Sequence, residues 1–133
     1  MPDDPIDSAE SASEAELTRY EKAYRETRRT IDESIEALAI MEELEDSSVV
    51  RDQLVLKREE LESQRADLVR AKIAFLAGRA TMQPPSPALV AEIVALSKKA
   101  VELTVQRATA AAVLRLATSA LNKFAEIQDI KDG

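Results

Sequence analysis

Hydrophobic residues return every seven positions in the middle of the chain, between residues 51 and 79. The apolar row consists of Leu54, Leu61, Leu68 and Phe75. A basic row beside it consists of Arg51, Arg58, Arg65, Lys72 and Arg79. Seven residues make nearly two helical turns, so each row follows one side of a single helix. A helix with so narrow an apolar row has to pack against other helices, and the pattern predicts a bundle with coiled-coil-like packing.

A helix over about residues 14–46 is predicted to precede this stretch. Ser13 and Glu16 fit a capping box at its start. Its apolar positions are spaced by threes and fours, as a buried stripe requires. They are Leu17, Tyr20, Tyr24, Thr27, Ile31, Ile35, Leu38, Met41 and Leu44.

Two interpretations remain open for the junction at residues 46–48. The chain has no glycine or proline between Pro5 and Gly78, but Asp46, Ser47 and Ser48 are of the types that cap helices. The heptad phase changes between the two apolar rows, which favours a turn and a helical hairpin. The alternative is one helix of about 65 residues, roughly 98 Å long, which would almost require a dimer.

The second helix is predicted over residues 48–78. Gly78 fits a left-handed residue that closes a helix, and the nearby prolines prevent continuation. Ser86 followed by Pro87 is typical of a helix start, and a third helix is predicted over residues 87–128. Its broad apolar stripe is interrupted only at Arg107 and Gln128.

These elements predict an all-α fold, an antiparallel three-helix bundle of long helices in one domain over residues 14–130. Residues 87–128 of the third helix are 42 residues, about 63 Å, whereas residues 49–78 of the second are 30 residues, about 45 Å. The last turns of the third helix are therefore expected to project and to expose apolar side chains that bind a partner. The predicted partner-binding residues are Leu114, Leu121, Phe124 and Ile127. A bent or frayed helix, or a turn in another place, is the alternative.

The N-terminal segment differs from the rest in charge. Residues 1–14 carry five acidic and no basic side chains, and we expect residues 1–13 to be an acidic disordered tail. They lack the basic and apolar parts of a secretory signal, and no later stretch approaches twenty apolar residues without charge or proline. The expected location is cytoplasmic, with no transmembrane segment.

The composition argues against catalysis. The chain has no histidine and no cysteine, which removes Ser-His triads, thiolate nucleophiles and the commonest metal ligands. Its only glycines are Gly78 and Gly133, so it has no glycine-rich phosphate loop. We expect a protein that is not an enzyme and that needs no cofactor and no metal.

Charge is divided unevenly along the predicted hairpin. Residues 15–30 and 64–79 carry nine basic and four acidic side chains, whereas residues 31–63 carry eleven acidic and three basic ones. The basic end, where Tyr20, Tyr24 and Phe75 should also meet, is a candidate anion-binding surface. Its candidate residues are Arg25, Arg28, Arg29, Arg65, Arg70 and Lys72. The net charge of −7 and the pI near 4.7 make nucleic acid an unlikely partner.

Fold and composition together favour a protein–protein interaction module of the adaptor, chaperone or neutralising-partner type. It would bind a partner helix, or a second copy of itself, through the apolar face and C-terminal overhang of the third helix. The alternative is a polyanion-binding module that uses the basic end and is gated by the acidic tail. The chain has neither the tryptophan of spectrin-type repeats nor another motif that identifies a family.

Overall fold

The computed structural model describes the backbone of residues 5–78, 80–105 and 109–130, and the side chains of residues 14–78, 83–104 and 109–127. Over these ranges the chain forms four helices and one short two-stranded sheet. The elements are α1 (Pro5–Leu44), α2 (Ser48–Leu76), β1 (Ala80–Met82), α3 (Pro87–Val105), α4 (Ala110–Ala125) and β2 (Gln128–Ile130). The predicted helical class is confirmed, but there are four helices where three were predicted.

Helix α1 begins earlier than the sequence pattern indicated. It starts at Pro5 and is continuous to Leu44. The disorder expected for residues 1–13 stays a prediction. Proline suits the first turn of a helix, where its missing N–H is not needed, and no proline or glycine follows within α1. Residues 1–4 of the predicted tail lie outside the described residues.

A tight turn joins α1 to α2, and the hairpin prediction is confirmed. Ser47 is the N-cap of α2, and its side chain accepts a hydrogen bond from the Val50 N–H. The Arg51 guanidinium donates to the carbonyl oxygen of Glu45 through Nε at 3.2 Å and Nη2 at 2.7 Å. The turn therefore satisfies its polar groups without a glycine, which the sequence does not supply there.

Helices α1 and α2 run antiparallel, with the leucine row of α2 turned inwards. Leu54, Leu61 and Leu68 are buried. The basic row beside them pairs with acidic residues of α1 along the whole hairpin. These ion pairs are Arg58–Glu42, Arg65–Asp32 at 3.1 Å and Lys72–Glu21 at 2.9 Å. The seven-residue pattern therefore predicted both the buried row and its charged flank correctly.

The end of α2 and the start of α3 also follow the prediction. Gly78 adopts a φ of +77°, and its N–H donates to the carbonyl of Phe75, as in a left-handed helix closure. Ser86 accepts a hydrogen bond from the Leu89 N–H at 3.1 Å, and α3 begins at Pro87. These caps determine where α2 ends and where α3 begins.

The predicted third helix is divided into two. Helix α3 ends at Val105, and α4 begins at Ala110 with Thr109 as its N-cap, whose side chain accepts from the Ala112 N–H. Helix α4 then turns back along α3, as the ion pair between Lys123 and Glu92 at 2.9 Å indicates. Residues 106–108, which include the interruption at Arg107, lie outside the described residues.

Helix α1 is the central element and contacts each of the other three helices. The seam between α1 and α3 includes small residues, because Ser34, Ala37 and Ala100 line one narrow space between them. The other small buried residues of these helices are Ala23, Thr27 and Thr30 on α1 and Ser97 on α3. The two helices run parallel, because Arg19 Nε donates to the Pro85 carbonyl at 2.7 Å and Thr104 donates to Glu33 at 3.4 Å.

A small antiparallel sheet connects the ends of the two hairpins. Strand β1 pairs with β2 in the register Ala80↔Ile130, Thr81↔Asp129 and Met82↔Gln128. The Gln83 N–H also donates to the carbonyl of Ile127. The sheet was not predicted, and it fixes the C-terminal end of α4 beside the C-terminal end of α2.

Candidate functional site

One end of the bundle, which we call the covered end, has an aromatic core. Tyr20 lies with its ring centroid 4.7 Å from that of Phe75 and 5.7 Å from that of Phe124. Tyr24 meets Phe124 edge-on at 6.0 Å. Burial raises the pKa of Tyr20 well above the ordinary value for tyrosine. The predicted meeting of Tyr20, Tyr24 and Phe75 is confirmed, and its setting is that of a core.

The predicted partner-binding residues on the third helix lie inside the bundle. Phe124 and Ile127 are buried in the aromatic core. Leu114 and Leu121 are half-buried and pack against the second core cluster, formed mainly by α1, α2 and α4. The prediction of a C-terminal overhang is therefore wrong. Because α4 folds back, its apolar side chains gain burial against α1 and α2 where a straight helix would have left them in water.

A shallow apolar groove runs between α2 and α4. It has a volume of about 270 Å³ and is lined by Gln64, Asp67, Leu68, Ala71, Leu121, Phe124 and Ala125. Two of the predicted partner-binding residues, Leu121 and Phe124, are thus brought together here, as part of its wall. The groove lies where α2, which is held mainly by α1, meets α4 through a few residues of both core clusters.

Most of the candidate anion-binding residues are already engaged. Lys72 forms its ion pair with Glu21 and also lies over the ring of Tyr24, 4.4 Å from the centroid. Arg65 pairs with Asp32, Arg28 approaches the same carboxylate at 4.0 Å, and Arg70 pairs with Asp67. Such paired cations have little attraction left for a second anion.

Arg25 and Arg29 are exposed and make no ion pair among the described residues. They line a depression of about 500 Å³ on the outer face of α1. It also contains Arg28 and Lys72, together with the carboxylates of Glu21, Asp32, Glu33 and Glu36. The depression is therefore close to neutral. The hypothesis that the acidic N-terminal segment gates this end stays a prediction.

The opposite end of the hairpin, residues 40–56, is not covered by α3 and α4, and we call it the hairpin tip. The second core cluster reaches no further than Met41 on α1 and Leu54 on α2. Leu44, Val49 and Val50 lie beyond these residues and are open to solvent. Ile40 and Leu56 each lie two residues after a buried leucine, Leu38 or Leu54, and so on the opposite side of their helices. Five of the eight exposed large apolar residues of the described chain lie in this tip: Ile40, Leu44, Val49, Val50 and Leu56.

Acidic side chains surround the apolar surface of the hairpin tip. Residues 40–56 carry five acidic side chains and one basic side chain, Arg51, which is bound to the turn. Glu42 is engaged by Arg58, with 3.1 Å between Nη2 and Oε1, and this pair raises the pKa of the Arg58 guanidinium. Glu43, Asp46 and Asp52 are exposed and make no ion pair within the described part of the chain.

The sequence contained a signal for the hairpin tip that the heptad analysis passed over. Val49 and Leu56 are seven residues apart and lie off the row that begins at Leu54. Apolar residues outside the buried row, in an acidic stretch beside a turn, indicate a surface and not a core. Whether α3 and α4 cover the tip depends on where the predicted third helix breaks, and the heptad analysis did not predict this break.

The described residues offer no arrangement suited to metal chemistry. Among them no group of three or more Asp, Glu, His or Cys side chains is placed to hold a metal ion. Within the same ranges, no helix combines the length and the apolar character that crossing a membrane requires. What the tip offers chemically is an apolar contact area with free carboxylates around it.

Comparisons with known proteins do not add to this picture. No protein family, no curated protein and no solved structure matches the chain.

Proposed function

We propose that this chain is a non-enzymatic, helical protein-interaction module and that the hairpin tip is its binding surface. The observation that carries the proposal is the concentration of exposed Leu and Val side chains at one end of an otherwise well-covered hairpin. Contiguous exposed apolar surface with a polar rim is typical of sites where proteins associate.

The tip also has the rigidity that a binding surface needs. It is built from two helices joined by a capped turn, and the Arg58–Glu42 pair holds these helices together just inside it. A partner would therefore meet side chains on a preformed scaffold, which reduces the entropy lost on binding.

A matched pair of variants on α2 tests the proposal. Leu56 in the tip is 67% exposed and Leu76 near the covered end is 65% exposed, so each can be replaced by Ser with little effect on folding. Tagged wild-type chain and both variants are used for affinity capture from cells, after circular dichroism has shown equal helix content. We expect Leu56→Ser to lose co-purifying proteins that wild type and Leu76→Ser retain.

Light scattering on a sizing column separates a second copy from a different partner. A larger assembly that dissociates only in Leu56→Ser would assign the tip to self-association. Equal capture by all three proteins would contradict the proposal, because the tip would then contribute nothing to binding.

A further inference from the structure

We infer that the hairpin tip accepts an amphipathic helix whose apolar face is bordered by lysine or arginine side chains. This inference rests on the proposed function and adds the chemistry of the partner. Its basis is the joint arrangement of apolar and acidic side chains at the tip.

The apolar side chains of the tip extend the surface that α3 and α4 cover further down the hairpin. Met41 is the last residue of α1 in the second core cluster, and Leu44 follows it three residues later on the adjoining part of the helix. On α2, Leu54 is the last buried residue towards the turn, and Val50 lies four residues beyond it. A third helix laid across these positions would continue the packing of the bundle.

The backbone of the tip favours a helical partner over an extended one. Residues of α1 and α2 satisfy their own N–H and C=O groups, and the only described sheet lies at the covered end. A strand docking at the tip would find no edge to pair with and would leave its own backbone groups unsatisfied on the apolar side. A helix satisfies these groups internally and presents side chains alone.

The charges of the tip select a basic partner. Glu43, Asp46 and Asp52 are exposed and free of ion pairs among the described residues, whereas Arg51 is hydrogen-bonded to the turn. An acidic partner helix would place carboxylates beside carboxylates, which is unfavourable at close range. Lysine and arginine side chains have long apolar stems that can lie beside Leu44 or Val49 while their charges reach the acidic rim.

A second copy of the chain fits this surface less well. Two tips facing each other would bring their acidic rims together. The basic residues of the covered end are largely engaged, because Lys72, Arg65 and Arg70 pair with Glu21, Asp32 and Asp67. Arg25 and Arg29 of the covered end, unpaired within the described ranges, lie in a depression that also holds four carboxylates, so it offers an acidic rim little net positive charge. The charge pattern therefore favours a different polypeptide.

Two synthetic peptides of about 18 residues, five helical turns, test the inference directly. Both carry leucines on one face, and the remaining positions are lysine in one peptide and glutamate in the other. Binding of each fluorescent peptide to the full chain is measured by anisotropy. We expect the lysine peptide to bind at least about tenfold more tightly than the glutamate peptide, with the difference decreasing as salt is added.

Variants of the chain assign the binding to the tip. Leu44→Ser, which changes the surface described above, should weaken the lysine peptide about tenfold, and Leu76→Ser, at a residue of similar exposure, should leave its affinity unchanged. The triple variant Glu43→Gln/Asp46→Asn/Asp52→Asn, which keeps the apolar surface, should remove most of the preference for lysine over glutamate. Circular dichroism of each variant establishes that the helices are intact.

The outcomes separate this inference from the proposed function. Equal affinity for both peptides, or equal weakening by Leu44→Ser and Leu76→Ser, would overturn the basic-helix inference. If cellular partners were nevertheless lost only in Leu56→Ser, the proposed function would stand with a partner of different chemistry. If capture were also unchanged by Leu56→Ser, both would fail.

Discussion

Both ends of the α1–α2 hairpin carry large apolar side chains, but their surroundings are opposite. At the covered end Tyr20 and Phe124 are buried where four helices and a small sheet meet. At the hairpin tip Leu44 and Leu56 remain in water. Leu44 lies beyond Met41, where α3 and α4 no longer cover α1, and Leu56 lies two residues from the buried Leu54, on the opposite side of α2. The comparison teaches that burial in this bundle depends on the length of the α3–α4 hairpin and on the side of the helix, and not on apolar character alone.

The largest expected difference lies between two leucines of α2 that are five residues apart. Leu61 is 3% exposed in the second core cluster, and Leu56 is 67% exposed in the tip. Replacing Leu61 by Ala should lower the free energy of unfolding by about 2–5 kcal/mol, because it removes core packing and leaves a cavity. Leu56→Ala should change it by no more than about 0.5 kcal/mol. Urea denaturation followed by circular dichroism measures both, and similar losses would mean that the tip is packed.

A smaller effect is expected from the residue that closes α2 at the covered end. Gly78 has a φ of +77°, and a Cβ added there would meet no atom within 4 Å. Gly78→Ala should therefore destabilise the protein by about 1–2 kcal/mol through backbone strain alone. Thermal unfolding checks this, with Ala77→Gly as a comparison at the neighbouring cap, whose φ is −84°. An unchanged stability in Gly78→Ala would show that the closure does not need a left-handed residue.

The smallest expected effect concerns a hydroxyl inside the α1–α3 seam. Ser97 is fully buried, and its hydroxyl has no hydrogen-bond partner among the described residues, whereas the Ser34 hydroxyl donates to the Thr30 carbonyl at 2.7 Å. Ser97→Ala removes an unsatisfied polar group and should raise stability by roughly 1 kcal/mol. Ser34→Ala, the matched control, should not raise it as much. A clear loss of stability in Ser97→Ala would mean that this hydroxyl is bonded in solution.

The α1–α2 hairpin could be predicted from the sequence. The seven-residue spacing that starts at Leu54 determined the buried side of α2, and Ser47 and Ser86 marked helix starts. Antiparallel pairing then followed from the phase change between the two apolar rows, and it brought Tyr20 beside Phe75 as predicted. These features depend on short-range spacing, which a single sequence displays directly.

The arrangement of α3, α4 and the small sheet depended on contacts between distant residues. The residues before and after the junction between α3 and α4 both favour a helix, with an alanine-rich segment after Thr109. Local propensity therefore gave no sign that α3 and α4 are separate. The interruptions at Arg107 and Gln128 coincide with the segment between α3 and α4 and with the first residue of β2, but a single polar residue in a stripe is a weak signal. Strands of three residues are too short for a periodic pattern.

The surroundings of the candidate partner-binding residues changed for the same reason. The sequence predicted exposed apolar residues past the first turn and assigned them to the end of a straight third helix, which includes Phe124 and Ile127. Once α4 folds back, these two residues complete the covered end, and the exposed apolar residues beside the first turn belong to α1 and α2. That the predicted residues bind a partner stays a prediction.

The most direct test of the central claim is site-specific photo-crosslinking in cells. A photoreactive side chain is placed at Leu56 in one protein and at Leu76 in another, two exposed positions of α2 at opposite ends of the hairpin. The account predicts discrete adducts with other proteins from the Leu56 position and none of these adducts from the Leu76 position. The same adducts from both positions, or adducts from Leu76 alone, would contradict the assignment of the hairpin tip as the binding surface.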